Sequence, residues 1–177
     1  LYYEAGNGTG QTSVCIYDVK SSESAKMLKE IPLEGEFPLQ CAFLQNGSVA
    51  VVTNRSVRVY DKSFNETEAV EIGEANVTAF EATREGVAVV SGERNVKKVT
   101  VLDEKGKTVY DGRVGENVSA VSKMGDFVFL RTVSGVIRID LDKDESEFLP
   151  SDDGKMLIYS DSTAIICGEA KAEYLVF

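Results

Sequence analysis

Four five-residue stretches of the sequence share one pattern: Val14-Cys-Ile-Tyr-Asp18, Val57-Arg-Val-Tyr-Asp61, Val99-Thr-Val-Leu-Asp103 and Val136-Ile-Arg-Ile-Asp140. Valine opens every stretch, and an apolar residue precedes every aspartate. Successive stretches begin 43, 42 and 37 residues apart. A repeat of about 40 residues that contains several short strands is typical of the blades of a β-propeller. The pattern therefore predicts a repeat protein of about four such units.

The third repeat shows how each unit divides into four strands. Its apolar segments cover residues 77–83, 87–91, 98–103 and 108–114, and short polar segments with turn-forming residues separate them. Segments of this length and spacing are typical of antiparallel strands, and no stretch of ten or more residues has a convincing apolar period of 3.6. We therefore predict an all-β chain with helix content near zero.

The same template divides the whole chain into one propeller region, 1–177. The complete blades are predicted at 36–74, 75–115 and 116–151, with partial blades at 1–35 and 152–177. The first partial blade supplies second, third and fourth strands, whereas the last supplies first, second and third strands. These ends cannot merge into one four-stranded blade, and propellers usually close by pairing their ends. We therefore expect an open arc, the carboxy-terminal half of a propeller with seven or eight blades.

The repeated aspartates, Asp18, Asp61, Asp103 and Asp140, have a structural explanation. In the segment Asp103-Glu104-Lys105-Gly106, aspartate comes first and glycine fourth, as in a type I turn followed by a left-handed residue. An aspartate carboxylate at the start of such a turn accepts backbone hydrogen bonds. We interpret all four as turn residues and assign them no catalytic role.

Composition excludes several kinds of function. The formal charge of −10, from 19 basic and 29 acidic residues, repels nucleic acid and anionic lipid. The one basic cluster, Arg94, Lys97 and Lys98, is interpreted as a solvated hairpin tip. The absence of histidine removes the usual nucleophile-activating base. No run of apolar residues is long enough to form a membrane helix. We predict no catalytic residue and no cofactor.

Two groups of residues suggest metal or redox chemistry, and each has a simpler explanation. Asp140, Asp142 and Asp144 alternate as in a calcium loop, but Glu145 stands where the glycine is needed and Ser151 where a glutamate is needed. An acidic hairpin is the better interpretation. Cys15, Cys41 and Cys167 are widely spaced and form no CxxC pair. We expect three buried free thiols, with one disulfide as the alternative.

Six of the seven asparagines begin an N-x-Ser/Thr sequon. They are Asn7, Asn46, Asn54, Asn65, Asn76 and Asn117. A glycosylated protein of a eukaryotic secretory compartment is one explanation. The other, which we favour, is that asparagine prefers turns and that Ser and Thr prefer the starts of strands.

Two segments carry a family resemblance: the run 37–52, Phe-Pro-Leu-Gln-Cys-Ala-Phe-Leu-Gln-Asn-Gly-Ser-Val-Ala-Val-Val, and the terminal run 164–177. With the blades between them, they resemble an uncharacterised family of Clostridia proteins. That family has a short cytoplasmic segment, one membrane helix and an extracytoplasmic propeller related to WD-repeat and PQQ-repeat proteins. The resemblance implies an extracytoplasmic location, membrane anchoring of the full-length protein and no known activity.

The function expected from the sequence is a non-enzymatic interaction scaffold that binds a protein, peptide or glycan. A carbohydrate-binding or ligand-binding sensory ectodomain is the alternative, and an enzyme completed by further blades is a third hypothesis. Nothing in the sequence selects a residue that would distinguish them, because the propeller fold carries many unrelated functions.

Overall fold

The structure, a computed structural model, describes residues 2–5, 12–21, 24–72, 76–92 and 96–177. All regular elements in these ranges are β-strands, and they form five antiparallel sheets. This confirms the predicted all-β fold. Each sheet is a meander in which strands adjacent in sequence are adjacent in space.

The strands of the first two sheets begin and end as follows. Sheet 1 contains β1 (Tyr2–Ala5), β2 (Thr12–Ser21) and β3 (Ser24–Leu33). Sheet 2 contains β4 (Pro38–Phe43), β5 (Val49–Thr53), β6 (Ser56–Tyr60) and β7 (Glu66–Glu71).

The other three sheets repeat this arrangement. Sheet 3 contains β8 (Val77–Thr83), β9 (Gly86–Ser91), β10 (Lys97–Leu102) and β11 (Thr108–Val114). Sheet 4 contains β12 (Val118–Met124), β13 (Phe127–Thr132), β14 (Gly135–Asp140) and β15 (Glu145–Pro150). Sheet 5 contains β16 (Lys155–Ser160), β17 (Thr163–Cys167) and β18 (Ala172–Val176).

The sheets pack face to face in chain order, and a hydrophobic core fills each of the four interfaces. Strand β5 shows why its sequence is almost continuously apolar. Val49 and Val51 enter the core with sheet 1, whereas Ala50 and Val52 enter the core with sheet 3. A strand covered on both faces loses the usual alternation of polar and apolar residues. All five residues of β5 are accordingly buried.

Neighbouring sheets contact each other mainly through their first strands, β4, β8, β12 and β16. The first strands therefore lie on the inner side of the arc and the fourth strands on its outer side. Within the described ranges, no sheet combines strands from the beginning and the end of the chain. The arc is thus open, as predicted.

Side chains of the inner strands also hydrogen-bond across the sheet interfaces. The Gln40 side chain in β4 bonds to both backbone groups of Ala82 in β8, as acceptor at 2.8 Å and donor at 3.3 Å. The carboxylate of Glu81 in β8 accepts the backbone N–H of Lys123 and the hydroxyl of Ser122 in β12, at 2.8 and 3.0 Å. These bonds fix the position of sheet 3 relative to both neighbours.

Three of the four repeated aspartates occupy the predicted turns. Asp61 Oδ1 accepts the N–H groups of Ser63 and Asn65, and Asp103 Oδ1 accepts those of Lys105 and Lys107. Asp140 Oδ1 accepts the N–H groups of Asp142 and Lys143 in the same way.

Asp18 does not begin a turn, so the prediction is wrong at this position. Strand β2 continues to Ser21, and Asp18 lies within it opposite Lys26 of β3. The carboxylate and ammonium groups are favourable cross-strand neighbours in an antiparallel pair. The sheet therefore extends past the aspartate that ends the corresponding strand in the other repeats.

Candidate interaction surface

A polar pocket of about 510 Å³ opens between sheets 2 and 3. We call it the inter-sheet pocket; it is lined by Leu39, Asn54, Arg55, Asn76 and Val77. Leu39 lies on β4, Asn54 and Arg55 form the turn between β5 and β6, and Asn76 and Val77 enter β8. Packing of the two sheets brings these three segments together.

Backbone hydrogen bonds hold the pocket lining in place. The Asn54 side chain accepts the N–H of Phe37 at 2.7 Å, and the Asn54 N–H donates to the Phe37 carbonyl at 3.0 Å. The carbonyl of Arg55 accepts the N–H of Ile72 at 2.8 Å. The carbonyl of Asn76 accepts the N–H of Gly92. These hydrogen bonds fix the backbone of the pocket lining relative to the neighbouring segments.

Arg55 is the one charged residue among the described residues that line the pocket. Its side chain is exposed, and no hydrogen bond or ion pair joins it to another residue of the described ranges. A guanidinium presents five N–H donors in a planar fork that suits carboxylate or carbonyl oxygens. On a chain with a net charge of −10, this side chain creates a local donor site for an oxygen-bearing ligand.

Exposed apolar side chains lie around the pocket and along the inner strands. Phe37, whose backbone bonds to Asn54, is 56% exposed, and Leu39 is 39% exposed. Phe43 on β4 and Phe80 on β8 are 47% and 37% exposed. Aromatic residues and arginine dominate the residues that carry binding energy in protein interfaces. The inner side of sheets 2 and 3 thus has the composition of an interaction surface.

The structure does not assemble Asp140, Asp142 and Asp144, whose alternation resembles that of a calcium loop, into a metal site. Within the described ranges, no group of three or more Asp, Glu, Cys or His residues is placed to hold a metal ion. Instead, the Lys143 ammonium group forms an ion pair with Asp140, with its Nζ 2.9 Å from Asp140 Oδ2. The hydrogen bond from Lys143 lowers the pKa of Asp140. The acidic hairpin interpretation agrees with this geometry.

The three cysteines are free thiols, of which Cys15 is buried and the other two are half-buried. Burial raises the pKa of the Cys41 thiol to about 11, so this thiol resists ionisation. The expectation of full burial is therefore correct for Cys15 alone.

The interpretation of the basic cluster as a solvated hairpin tip is wrong for Lys97. Lys97 is 5% exposed at the start of β10, and its Nζ donates to the Gly92 carbonyl at 2.7 Å. Lys98 forms an ion pair with Asp111 at 3.1 Å. Arg94 lies outside the described residues. Both lysines thus have partners within the fold.

The sequon asparagines take part in local turn structure where their bonds are described. Asn46 Oδ1 accepts the N–H of Ser48 at 2.9 Å, and the Asn65 amide donates to Asp61 at 3.3 Å. Asn54 binds Phe37, as described above. Asn76 and Asn117 are exposed, and Asn7 lies outside the described residues. These bonds explain three of the sequons by the turn preference of asparagine.

No helix in the described ranges has the length and apolarity needed to cross a membrane.

Comparison with known proteins shows the fold. No protein-family profile matches the chain, and no curated protein matches it in sequence. Among solved structures, the WD40 domain of Neurospora crassa Pan2 is similar with a TM-score of 0.61 and 14% identity, covering 95% of this chain and 59% of that domain's chain. BamB from Moraxella catarrhalis is similar with a TM-score of 0.58 and 18% identity, covering 80% of this chain and 47% of BamB.

A third similar structure is a protein of unknown function from Bacteroides caccae, with a TM-score of 0.55 and 12% identity. The similarity covers 95% of this chain and 65% of the Bacteroides caccae chain. The chain thus spans less than two thirds of each of these structures. Together with the five meander sheets, these similarities establish a β-propeller-type fold. At these identities they carry no information on function.

No sequence pattern signals the inter-sheet pocket directly. Its residues come from three separate segments, and none belongs to a recognisable motif. The one usable hint was the turn Asn54-Arg55 between two apolar strands, which places an arginine at a loop tip on a rigid scaffold.

Proposed function

We propose that this chain is a non-enzymatic interaction scaffold and that it binds an extended peptide segment of a protein partner in the inter-sheet pocket. The observation that carries the proposal is the Arg55 guanidinium, which has no partner among the described residues, beside the two asparagines of the pocket and near exposed apolar side chains. Amide and guanidinium groups match the carbonyl and N–H groups of a peptide. Leu39 and Val77 supply an apolar contact for a side chain.

The rigidity of the pocket supports this function. The Asn54 side chain of the pocket turn accepts a backbone hydrogen bond from Phe37. The side chains of Gln40 and Glu81 form hydrogen bonds across the two sheet interfaces. A preorganised surface loses little conformational entropy when it binds, so a small contact area suffices for measurable affinity. Binding loops on a rigid scaffold are a common arrangement of interaction proteins.

Arg55 is the residue to test. Two capped pentapeptides of Ala and Leu, one with a central Glu and one with a central Gln, are titrated into the protein while its amide NMR signals are recorded. We expect the Glu peptide to shift the signals of Leu39, Arg55 and Val77 with saturation. Arg55→Ala should weaken binding about tenfold, because a hydrogen bond to a charged group contributes about 1.5–3 kcal/mol. Arg55→Lys should retain part of the affinity.

Arg113→Ala is the matched control, because Arg113 is an exposed arginine on the outer strand β11. It should leave peptide binding unchanged. If the Arg55 and Arg113 variants bind both peptides as well as the unmodified protein does, the pocket is not the binding site.

Carbohydrate binding is the second candidate function, and it would use the same pocket. The amides of Asn54 and Asn76 match sugar hydroxyl groups, and the exposed ring of Phe37 is suited to stack on a sugar face. Titration with soluble cell-wall oligosaccharides separates the two functions. Saturable shifts of Asn54 and Asn76 with a sugar and none with the peptides would assign the chain to the sensory class.

We also propose an extracytoplasmic location, with a membrane anchor carried by the full-length protein. The resemblance of segments 37–52 and 164–177 to a Clostridia family supports this proposal. A location in the eukaryotic secretory pathway is the alternative suggested by the sequons. Fractionation of the source cells, followed by a blot with an antibody against this chain, tests both. A band in the membrane fraction that glycosidase does not shift supports the first, and a band that glycosidase shifts supports the second.

A further inference from the structure

The turn that carries the pocket residues Asn54 and Arg55 is held by a single buried carboxylate. Glu36 lies two residues before β4, and its side chain is buried. Its Oε2 atom accepts the hydroxyl groups of Thr53 and Ser56, at 2.5 and 2.6 Å. These two residues flank Asn54 and Arg55, so one oxygen atom holds both ends of the pocket turn.

Further hydrogen bonds connect this carboxylate to the backbone of the turn. Thr53 Oγ1 accepts the N–H groups of Arg55 and Ser56, at 3.1 and 2.8 Å. The residue that follows the carboxylate in sequence, Phe37, exchanges two hydrogen bonds with Asn54. The short connection between sheets 1 and 2 therefore fixes the backbone of both polar residues that the turn contributes to the pocket.

Sheet 4 contains an equivalent turn of the same length. Residues 132–135 connect β13 to β14 as residues 53–56 connect β5 to β6. A threonine opens both turns and accepts the N–H of the fourth residue, at 3.1 Å in sheet 4 and 2.8 Å in sheet 2. The third residue is Ser134 in sheet 4 and Arg55 in sheet 2.

The acidic residue before the first strand binds a different part of the turn in each sheet. Glu116 precedes β12 by two residues, as Glu36 precedes β4. The Glu116 carboxylate accepts the hydroxyl of Ser134 at 2.7 Å, so in sheet 4 the acid binds the third residue of the turn. In sheet 2 the acid binds the first and fourth residues instead. Arg55, the third residue, has no partner among the described residues.

Two residues of sheet 2 account for this difference. Ser56 supplies a hydroxyl group to the carboxylate, whereas Gly135 stands at the same position in sheet 4. Arg58 donates to Glu36 Oε1 and, through Nε, to the Ser56 hydroxyl at 3.2 Å. The register places Ile137 at the position of Arg58 in sheet 4, and this side chain has no donor for a carboxylate. Ser56 and Arg58 thus hold the acid inward.

We propose that Glu36 is the positioning residue of the inter-sheet pocket and that Arg58 keeps it in this position. The pair fixes the pocket turn and leaves the Arg55 guanidinium free to bind a carboxylate of the ligand. Without Arg58, Glu36 is free to pair with Arg55 and to compete with the ligand, as Glu116 pairs with Ser134 in sheet 4. This inference rests on the proposed function, because it concerns ligand binding in the same pocket.

The first test compares the equivalent threonines of the two turns, with the Glu and Gln pentapeptides as ligands and amide NMR signals as the readout. Thr53→Val removes the hydroxyl that joins the carboxylate to the turn. It should weaken binding of the Glu peptide about fivefold, the equivalent of one hydrogen bond. Thr53→Ser, which keeps a hydroxyl group, should restore the affinity. Thr132→Val is the matched control, because it removes the same turn hydroxyl in sheet 4, and it should bind both peptides as the unmodified protein does.

The second test separates the two ion pairs of Arg58. Arg58→Met releases the Glu36 carboxylate, whereas Glu66→Gln removes only the exposed partner at 3.1 Å and leaves the buried pair intact. Arg58→Met should weaken binding of the Glu peptide about tenfold and abolish its preference over the Gln peptide, because an arginine paired within the fold no longer favours a charged ligand. Glu66→Gln should keep the affinity within about twofold.

The outcomes distinguish this inference from the proposed function. If the unmodified protein binds the Glu peptide with saturation and both Thr53→Val and Arg58→Met bind it equally well, Glu36 has no positioning role and the proposed function still holds. Equal losses in Thr53→Val and Thr132→Val would assign the effect to general stability and would also overturn the inference. If the unmodified protein binds neither peptide, the proposed function fails and the inference fails with it.

Discussion

Glu36 and Arg58 form an ion pair in which a guanidinium nitrogen lies 2.5 Å from carboxylate Oε1. Glu36 lies in the connection between sheets 1 and 2, and its side chain is 7% exposed. Its second oxygen accepts the hydroxyl groups of Thr53 and Ser56 in sheet 2, and its carbonyl accepts the hydroxyl of Thr12 in sheet 1. One residue of the connection thus joins two sheets.

Replacement of Glu36 should destabilise the fold. Glu36→Gln removes the charge that compensates Arg58 in a buried site, and breaking such a pair typically costs about 3 kcal/mol. Arg58 keeps its second pair with Glu66 at 3.1 Å, so we expect a loss of about 2 kcal/mol in the free energy of unfolding, measured by urea denaturation. Glu34→Gln, an exposed change in the same connection, should have no measurable effect.

The same carboxylate predicts a pH dependence of stability. Burial favours the neutral acid, but the hydrogen bonds from Ser56, Thr53 and Arg58 outweigh it, so the pKa of Glu36 is lowered. A carboxyl group whose pKa falls on folding stabilises the protein above the unfolded value of about 4.3, and this contribution is lost as the pH falls through the folded pKa. Unfolding free energy should therefore fall in acid less steeply for Glu36→Gln than for the unmodified protein. Parallel curves for the two would contradict this role.

Arg131 should be as important between sheets 4 and 5. It is 3% exposed and donates to the carbonyls of Gly135 at 2.8 Å and Asp152 at 2.6 Å, and to the hydroxyl of Ser151 at 3.1 Å. Arg131→Ala removes the donor of all these hydrogen bonds and should reduce the free energy of unfolding by about 3 kcal/mol.

A control for Arg131 is available in its weak ion pair. Asp153 lies 3.9 Å from the guanidinium and is fully exposed. An ion pair this long, with its carboxylate in solvent, contributes little. Asp153→Asn should leave the unfolding midpoint unchanged, and a loss equal to that of Arg131→Ala would mean that charge, not backbone bonding, holds the arginine.

Gly86 should not tolerate a side chain. Its φ is +136°, and a Cβ atom at this position would lie 2.2 Å from the carbonyl oxygen of Leu102. Gly86→Ala should cost about 2–4 kcal/mol, because both the backbone conformation and the close approach of β10 oppose it. Gly115→Ala meets no atom within 4 Å and should change stability by less than about 1 kcal/mol in either direction. A similar cost for both would refute the steric argument.

The Cys41 thiol should be unreactive near neutral pH. Its pKa is raised to about 11 by burial, so at pH 8.5 its thiolate fraction is roughly 100-fold below that of an unperturbed thiol. In a Cys15→Ser/Cys167→Ser variant, iodoacetamide labelling at pH 8.5 should be about 100 times slower in buffer than in urea. A labelling rate that levels off near pH 9 in the folded protein would exclude this shift.

Most strands of the third repeat were predictable because they are apolar and bounded by turn residues. The segments 77–83 and 108–114 match β8 and β11 at both ends. The outer strand of the second repeat carries a weaker signal. The first four residues of β7, which begins at Glu66, are exposed, so no apolar residue is needed at its start.

The stabilising contacts between sheets and the candidate pocket were difficult to predict from the sequence. Glu36 has the appearance of an exposed loop residue, and its burial depends on Arg58, which is 22 residues away. Arg131 could have been recognised as unusual, because it is a charged residue within the apolar strand Phe127–Thr132. The inter-sheet pocket depends on how two sheets pack, and this packing leaves no local signal.

Methyl NOE measurements show whether the sheets pack in chain order as an open propeller-type arc. In a sample labelled at Val, Leu and Ile methyl groups, we expect NOEs that link Val52 of sheet 2 to the valines of β9 in sheet 3, which share one core. We expect none between Ile166 of sheet 5 and Ile16 of sheet 1, which belong to separate cores at the two ends of the arc. NOEs between Ile166 and Ile16 would show instead that the sheets close into a ring.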